Sequence, residues 1–162
     1  MQAPRNIQTM RADEALSLLC SYRTERAAAI RSLRDFFAEK VDVTKRSDIL
    51  VEVLNTAGNL RAHEVVSNIV DLISFVPPES VFRPNVPPDD YPAVKALIQI
   101  GFPAVQATLQ RAQGEHDKFV LSLCAIVVKG VLGQEAGTNY VALMAKTNKD
   151  LKSFQVRYFP TE

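Results

Sequence analysis

The sequence predicts an all-α protein built from stacked antiparallel helix pairs, and three observations carry that reading. Apolar residues recur at spacings of three and four along most of the chain, as they do in helices with one buried stripe. Between Thr9 and Lys40 there is no Gly or Pro to interrupt such a pattern. In the middle of the chain, YPAVKALIQIGFPAVQATLQRA (residues 91–112) reads as two short amphipathic helices joined by Gly101-Phe102-Pro103. Pro92 suits a first helical turn, where its missing N–H has no intrahelical partner and its fixed φ is already helical. Gly101 can take the left-handed conformation that closes one helix, and Pro103 can open the next. So short a connection makes the two helices antiparallel, and neither can bury its whole apolar stripe on the other. More helices must therefore stack on both sides.

The same residues carry a resemblance. Ala93, Ala96, Leu97, Ile100, Gly101, Pro103, Ala104, Val105 and Leu109 fill the apolar, glycine, proline and small-residue places of a HEAT repeat, so that residues 92–112 resemble that helix-turn-helix unit. The flanking units resemble it only loosely. The resemblance implies a short right-handed α-α superhelix of HEAT type, which is a fold and not an activity.

Taken from the start, residues 1–8 are polar, contain Pro4 and show no periodicity, so they read as a flexible N-terminal arm. Residues 9–162 then form a single helical-repeat domain, since 162 residues suffice for one continuous core. The polar cluster Ser21 to Glu25 divides Thr9–Lys40 into two helices, with Ser21 or Thr24 able to cap the second. Thr44 or Ser47 can cap a third helix whose apolar face is Ile49, Leu50, Val53, Leu54 and Ala57, with Gly58 placed to end it. Asn59 then caps a helix from Leu60 to about Phe75. In this alignment Gly58 falls on Gly101, a separation of 43 residues, within the roughly 40 to 47 of HEAT-type periods.

After Phe75 the character changes. VPPESVFRPNVPPDDY holds five of the nine prolines of the chain, a density no helix tolerates, and residues 76–90 read as a strap laid over the helices. Asp89 and Asp90 are placed to cap the helix that begins at Pro92. Beyond Gly114, the acidic Glu115 and Asp117 suit the N-terminus of the next helix, whose residues Phe119 to Leu132 are apolar on more than one face and should be the most buried. Glu135–Lys146 supplies its partner, with Tyr140, Val141, Leu143, Met144 and Ala145 as apolar positions. A last helix from Lys149 to about Arg157 uses Leu151, Phe154 and Tyr158 to cover the open end of the stack.

Composition narrows the function classes. With 47% hydrophobic and 23% charged residues the chain is an ordinary globular one, and its formal charge of +1 argues against bulk attraction to nucleic acid or to a membrane surface. Residues 119–128 form the longest apolar run, too short to span a bilayer. The opening MQAPRNIQTM lacks the apolar segment of a secretory signal, so the chain as given reads as cytoplasmic, or as exported if it begins after a removed signal. Cys20 and Cys124 both sit in apolar helical patterns and read as buried free thiols.

Chemical motifs are scarce. His63 and His116 belong to no ligand cluster, and six scattered glycines make no phosphate-cradling loop, so no metal and no cofactor is expected. Arg23, Arg26, Arg31 and Arg34 form a broad band along one helix, with Glu25, Asp35 and Glu39 close enough to neutralise much of it. With no Trp in the chain to stack on bases, nucleic acid is the weakest of three readings. The leading one is a scaffold or interaction module that binds another protein or a peptide segment through the second helices of its pairs, at Glu64, Asn68, Asp71, Gln106 and Gln110, together with Phe82 and Arg83 of the strap. The alternative is a helical-repeat enzyme or ligand-binding domain whose pocket the strap covers, with Arg83, Asp89, Asp90, Tyr91 or His116 converging on it.

Overall fold

The Gly- and Pro-free N-terminal segment folds as two helices, α1 (Ala12–Ser21) and α2 (Arg26–Ala38). This computed structural model describes residues 11–21, 25–38, 43–78 and 87–160, without the side chains of 18–21, 43 and 44. The N-terminal arm, the side chain of Cys20, Arg23, Thr24, and Phe82 and Arg83 of the strap lie outside those residues. Seven further helices follow: α3 (Ser47–Asn59), α4 (Val66–Asp71), α5 (Pro92–Ile100), α6 (Phe102–Gln113), α7 (Lys118–Leu132), α8 (Gln134–Thr147) and α9 (Asp150–Tyr158). Short 3-10 turns at Val43–Arg46 and His63–Val65 complete the regular structure, and there is no strand among the described residues. The protein is all-α.

Several helices pack on the next but one, and α6 also packs directly on α7. α1 lies on α3, α3 on α5 and α5 on α7, while α2 meets the 63–65 turn, α4 packs on α6 and α6 on α9. Helix α8 closes the far end against α7 and α9. One continuous core results, with Phe36, Phe154, Phe159, Leu50, Leu54 and Leu97 among its largest fully buried side chains.

The central pair forms as its sequence requires. Pro92 stands in the first turn of α5, and Gly101 alone joins α5 to α6. Its φ of 91° and ψ of −143° differ from the left-handed helical values expected of it and belong to a mirror-extended region open only to glycine. Gly133, with φ 81° and ψ 166°, makes the same one-residue joint between α7 and α8. The counterpart of Gly101 is thus Gly133 and not Gly58.

Gly58 ends nothing. It lies inside the last turn of α3, where a Cβ would come 3.0 Å from the Cα of Ala96 and collide with the side chain of Gln99. It is the point at which α3 and α5 cross backbone to backbone. The corner is turned instead by Arg61, whose φ of 49° is left-handed. Ala62 N–H donates to Ala57 O at 2.9 Å and Arg61 N–H to Gly58 O at 3.0 Å, the paired bonds of a Schellman motif. A non-glycine residue holds this conformation at a cost of roughly 1–2 kcal/mol.

That corner also shortens the helix expected over Leu60–Phe75. Asn59 is the last residue of α3 rather than a cap, and the segment holds the 63–65 turn, the six residues of α4 and a turn at 72–74. Arg46 and Tyr91, rather than the residues expected there, occupy the N-cap positions of α3 and α5, and neither makes a side-chain cap hydrogen bond. The turn bonds through backbone, Tyr91 N–H to Pro88 O at 3.1 Å.

The acidic opening of α7 is as expected, with Asp117 accepting from Phe119 N–H at 2.7 Å. Burial is greatest elsewhere: six of nine residues are buried in α5 against six of fifteen in α7, because α5 has neighbours on both flanks. Leu151 and Phe154 of α9 cover the end of the stack, joined by the fully buried Phe159. Leu143 turns outward and is 59% exposed.

Replacing Gly58 with Ala tests the crossing. Helix propensity returns about 1 kcal/mol and overpacking against Ala96 costs about 1–3 kcal/mol, so a net loss of roughly 1 kcal/mol is expected in urea denaturation. Gly114→Ala is the control, since nothing lies within 4 Å of its Cβ position. A Gly58→Ala chain as stable as the control would show that the close approach can relax.

Candidate functional site

Charged side chains at the helix corners are mostly engaged in holding those corners. Arg26 heads α2 and reaches the α3–α4 corner, donating from Nε to Leu60 O at 3.2 Å, from Nη2 to Arg61 O at 3.4 Å and from Nη1 to Glu64 Oε1 at 3.2 Å. Arg26 therefore leaves the basic band to anchor a corner whose left-handed residue, Arg61, is not glycine. Burial pushes the Glu64 carboxyl up, but its own backbone N–H and the Arg26 guanidinium outweigh that and hold it below its ordinary value.

A second clamp joins α6 to α7. Glu115 Oε1 accepts from the backbone N–H groups of His116 and Asp117, both at 2.8 Å, and Oε2 meets Arg111 Nη1 at 2.6 Å. The Asp117 N–H is the largest influence on Glu115, and despite opposing burial its carboxyl stays below the ordinary range. Close by, burial raises the Cys124 thiol from its ordinary 9.0 to about 12, and this free cysteine lies in the core. It is held as an uncharged, inert group.

Two hollows involve candidate residues. His116 lines a cleft of about 260 Å³ with Glu115, Lys149, Asp150 and Ser153, where α9 leans over the α6–α7 joint. Asp89, Asp90 and Tyr91 do not line it. Tyr91 is buried against the ring of Phe119, 5.7 Å between centroids. Arg31 and Arg34 flank a groove of about 530 Å³ floored by Ala27, Ile30 and Ala38 on α2, all that remains of the arginine band among the described residues. Among the described residues no three His, Cys, Asp or Glu side chains gather, and no single helix is long and apolar enough to cross a membrane.

The expected partner surface divides. Gln106 and Gln110 are exposed along α6, Asp71 is exposed and Asn68 half-buried on the adjoining α4, and Glu64 is bound to Arg26. Sequence reasoning passed over Phe102, which it treated only as part of the joint. Phe102 is 47% exposed in the first turn of α6 and meets the ring of Tyr140 on α8 edge-on, 5.6 Å between centroids. Its spacing of four from Gln106 and eight from Gln110 was the available signal.

No protein family, curated protein or solved structure matches this chain.

Two outcomes follow for the ionisable groups. The lowered Glu64 carboxyl contributes stability above its ordinary value of 4.5 that is lost as pH falls through the lower folded value. Arg26→Met should cost about 1 kcal/mol at pH 7 and flatten this acid dependence in urea titrations between about pH 3 and 6. An unchanged dependence would show that the staple carries no linkage. Cys124 stays protonated between pH 9.0 and about 12, where the unfolded thiol ionises, so its burial contributes stability that is lost as pH rises through that window. Peptide mapping after maleimide treatment at about pH 8 should find Cys124 unlabelled until denaturant unfolds the chain. Rapid native labelling would refute its burial.

Proposed function

We propose that the chain is a HEAT-like interaction module, a short right-handed superhelix that holds another protein or a peptide segment against its second row of helices. The observation that supports this is the outer face of α6. Phe102, Gln106 and Gln110 recur there every fourth residue, all exposed, and the one charged residue of the helix, Arg111, is turned to Glu115. A neutral face with an exposed aromatic anchor and amide side chains is the composition of contact surfaces, where a ring supplies apolar area and amides supply adaptable hydrogen bonds. Asn68 and Asp71 extend the face onto α4.

The row α1, α3, α5 and α7, each packed on the next, with α4 on α6 beside it, supports the solenoid reading. The enzyme reading has less behind it, since the cleft that His116 lines does not include Asp89, Asp90 or Tyr91, and Arg83 lies outside the described residues.

Affinity capture from lysate of the cells that make the protein checks the proposal. Bait carrying Phe102→Ser, Gln106→Glu and Gln110→Glu should lose proteins that the unaltered bait retains, while its circular dichroism melt shifts by no more than a few degrees, as surface changes do. Retention of the same proteins by both baits, or of none by either, would overturn the assignment of this face.

A further inference from the structure

Helix α8 presents a second face that neither the core nor the corners use. Its exposed arc consists of Glu135, Ala136, Asn139, Leu143 and Lys146, with the half-buried Tyr140 at its margin beside Phe102. A single exposed leucine needs no partner. What distinguishes Leu143 is its frame. At 100° per residue, Glu135 and Lys146 are about 20° apart around the axis and about three turns apart along it, so they mark two ends of one edge. Ala136 and Tyr140 lie on the opposite edge, about 100–140° round, and Leu143 lies near the middle at about 80°. Among the described residues neither Glu135 nor Lys146 forms an ion pair within the chain.

We propose that this face pairs with a second copy of the chain, α8 against α8, antiparallel about a two-fold axis near Tyr140. Such an axis keeps each edge of the helix on its own side and reverses its direction. The acidic end of the charged edge then falls on the basic end of its copy. Glu135 meets the partner's Lys146, and Lys146 meets the partner's Glu135. On the opposite edge Tyr140 meets its own copy, ring to ring, and the two Leu143 side chains interleave between the edges. Asn139 both donates and accepts, so its amide can be satisfied by its own counterpart.

The pattern is self-complementary only in this antiparallel sense. A parallel pairing about a two-fold would exchange the edges, setting Glu135 and Lys146 against the Ala136–Tyr140 edge of the copy and leaving both charges unpaired. Glu135 in the first turn and Lys146 in the last also suit the dipole of α8 itself. The dipole does not, however, call for the two charges to share an edge or for an exposed leucine between them. One helix pair of about 21 Å is a small interface, so the dimer belongs to the micromolar class.

The inference goes beyond the partner face on α6, and its test is separate. Sedimentation velocity on the full chain from about 1 to about 200 µM at low salt should show an 18.0 kDa monomer passing into a dimer. Leu143→Glu should leave only monomer. Lys146→Glu should weaken the dimer by roughly tenfold or more, and adding Glu135→Lys to it should restore dimerisation by exchanging the signs at both contacts. Circular dichroism melts confirm that each variant is folded. A monomer at every concentration, a dimer indifferent to Leu143→Glu, or a double exchange no better than the single change would each overturn the proposal. Capture through α6 by a strictly monomeric chain would overturn it while leaving the α6 reading in place.

Discussion

Close approach of α3 to α5 is the constraint on which the remaining packing rests. At Gly58 the α3 backbone comes against the backbone of Ala96, with the Gln99 side chain folded into the space a Cβ would take. On its opposite flank α5 meets α7 at a second glycine, where a Cβ on Gly130 would lie 2.7 Å from Ile98. A helix held this closely on two sides buries nearly all of its surface, which is why α5, although only nine residues long, has the densest burial in the protein. Its sequence has no other use. Ala93, Val94, Leu97 and Ile100 are all buried, and Lys95 and Gln99 are its exposed residues.

From that centre the corners decide where the other row goes. Gly101 and Gly133 turn the chain in one residue each, so α6 and α8 begin immediately beside the helices they follow. The α3–α4 corner lacks such a residue at its left-handed position, and there the structure recruits help from a distance. Arg26, thirty-five positions before Arg61, binds the corner carbonyls and Glu64 together. An arginine that sequence patterning places on a solvated basic band is thereby a tertiary fastener. Glu64 belongs to it for the same reason.

Much of the fold was legible because the chain writes it locally. Pro92, Gly101, Pro103 and Asp117 each act at a backbone position that their own chemistry dictates, and helical periodicity located every long helix. What failed were inferences that required knowing what lies opposite. Gly58 reads as a terminator when only its own helix is considered and as a crossing point once α5 is present. Arg61 gives no local signal for a left-handed corner, since its side chain is neither glycine nor asparagine. Two fully buried hydroxyls, Thr56 and Thr108, have no hydrogen-bond partner among the described residues, and nothing in the sequence marks them. The surface was less legible still, because Phe102 and Leu143 fit the apolar period and the period does not say which apolar residues are left outside.

Those two residues are the large apolar side chains on which both proposed contact faces turn. The acidic groups near the corners are accounted for by the bonds they make: Glu64 by Arg26, Glu115 by Arg111 and two backbone amides, Asp117 by the cap of α7. A contact surface must be made from side chains that the fold leaves unused. On α6 and α8 these are an aromatic ring, amides, a leucine and one pair of opposite charges, held at fixed spacing on helices whose inner faces are buried. Rigid helices present such side chains with little entropy left to lose on binding. The proline-rich strap over residues 76–90 is described only at its two ends, where Pro77 is buried and residues 87–90 form a turn.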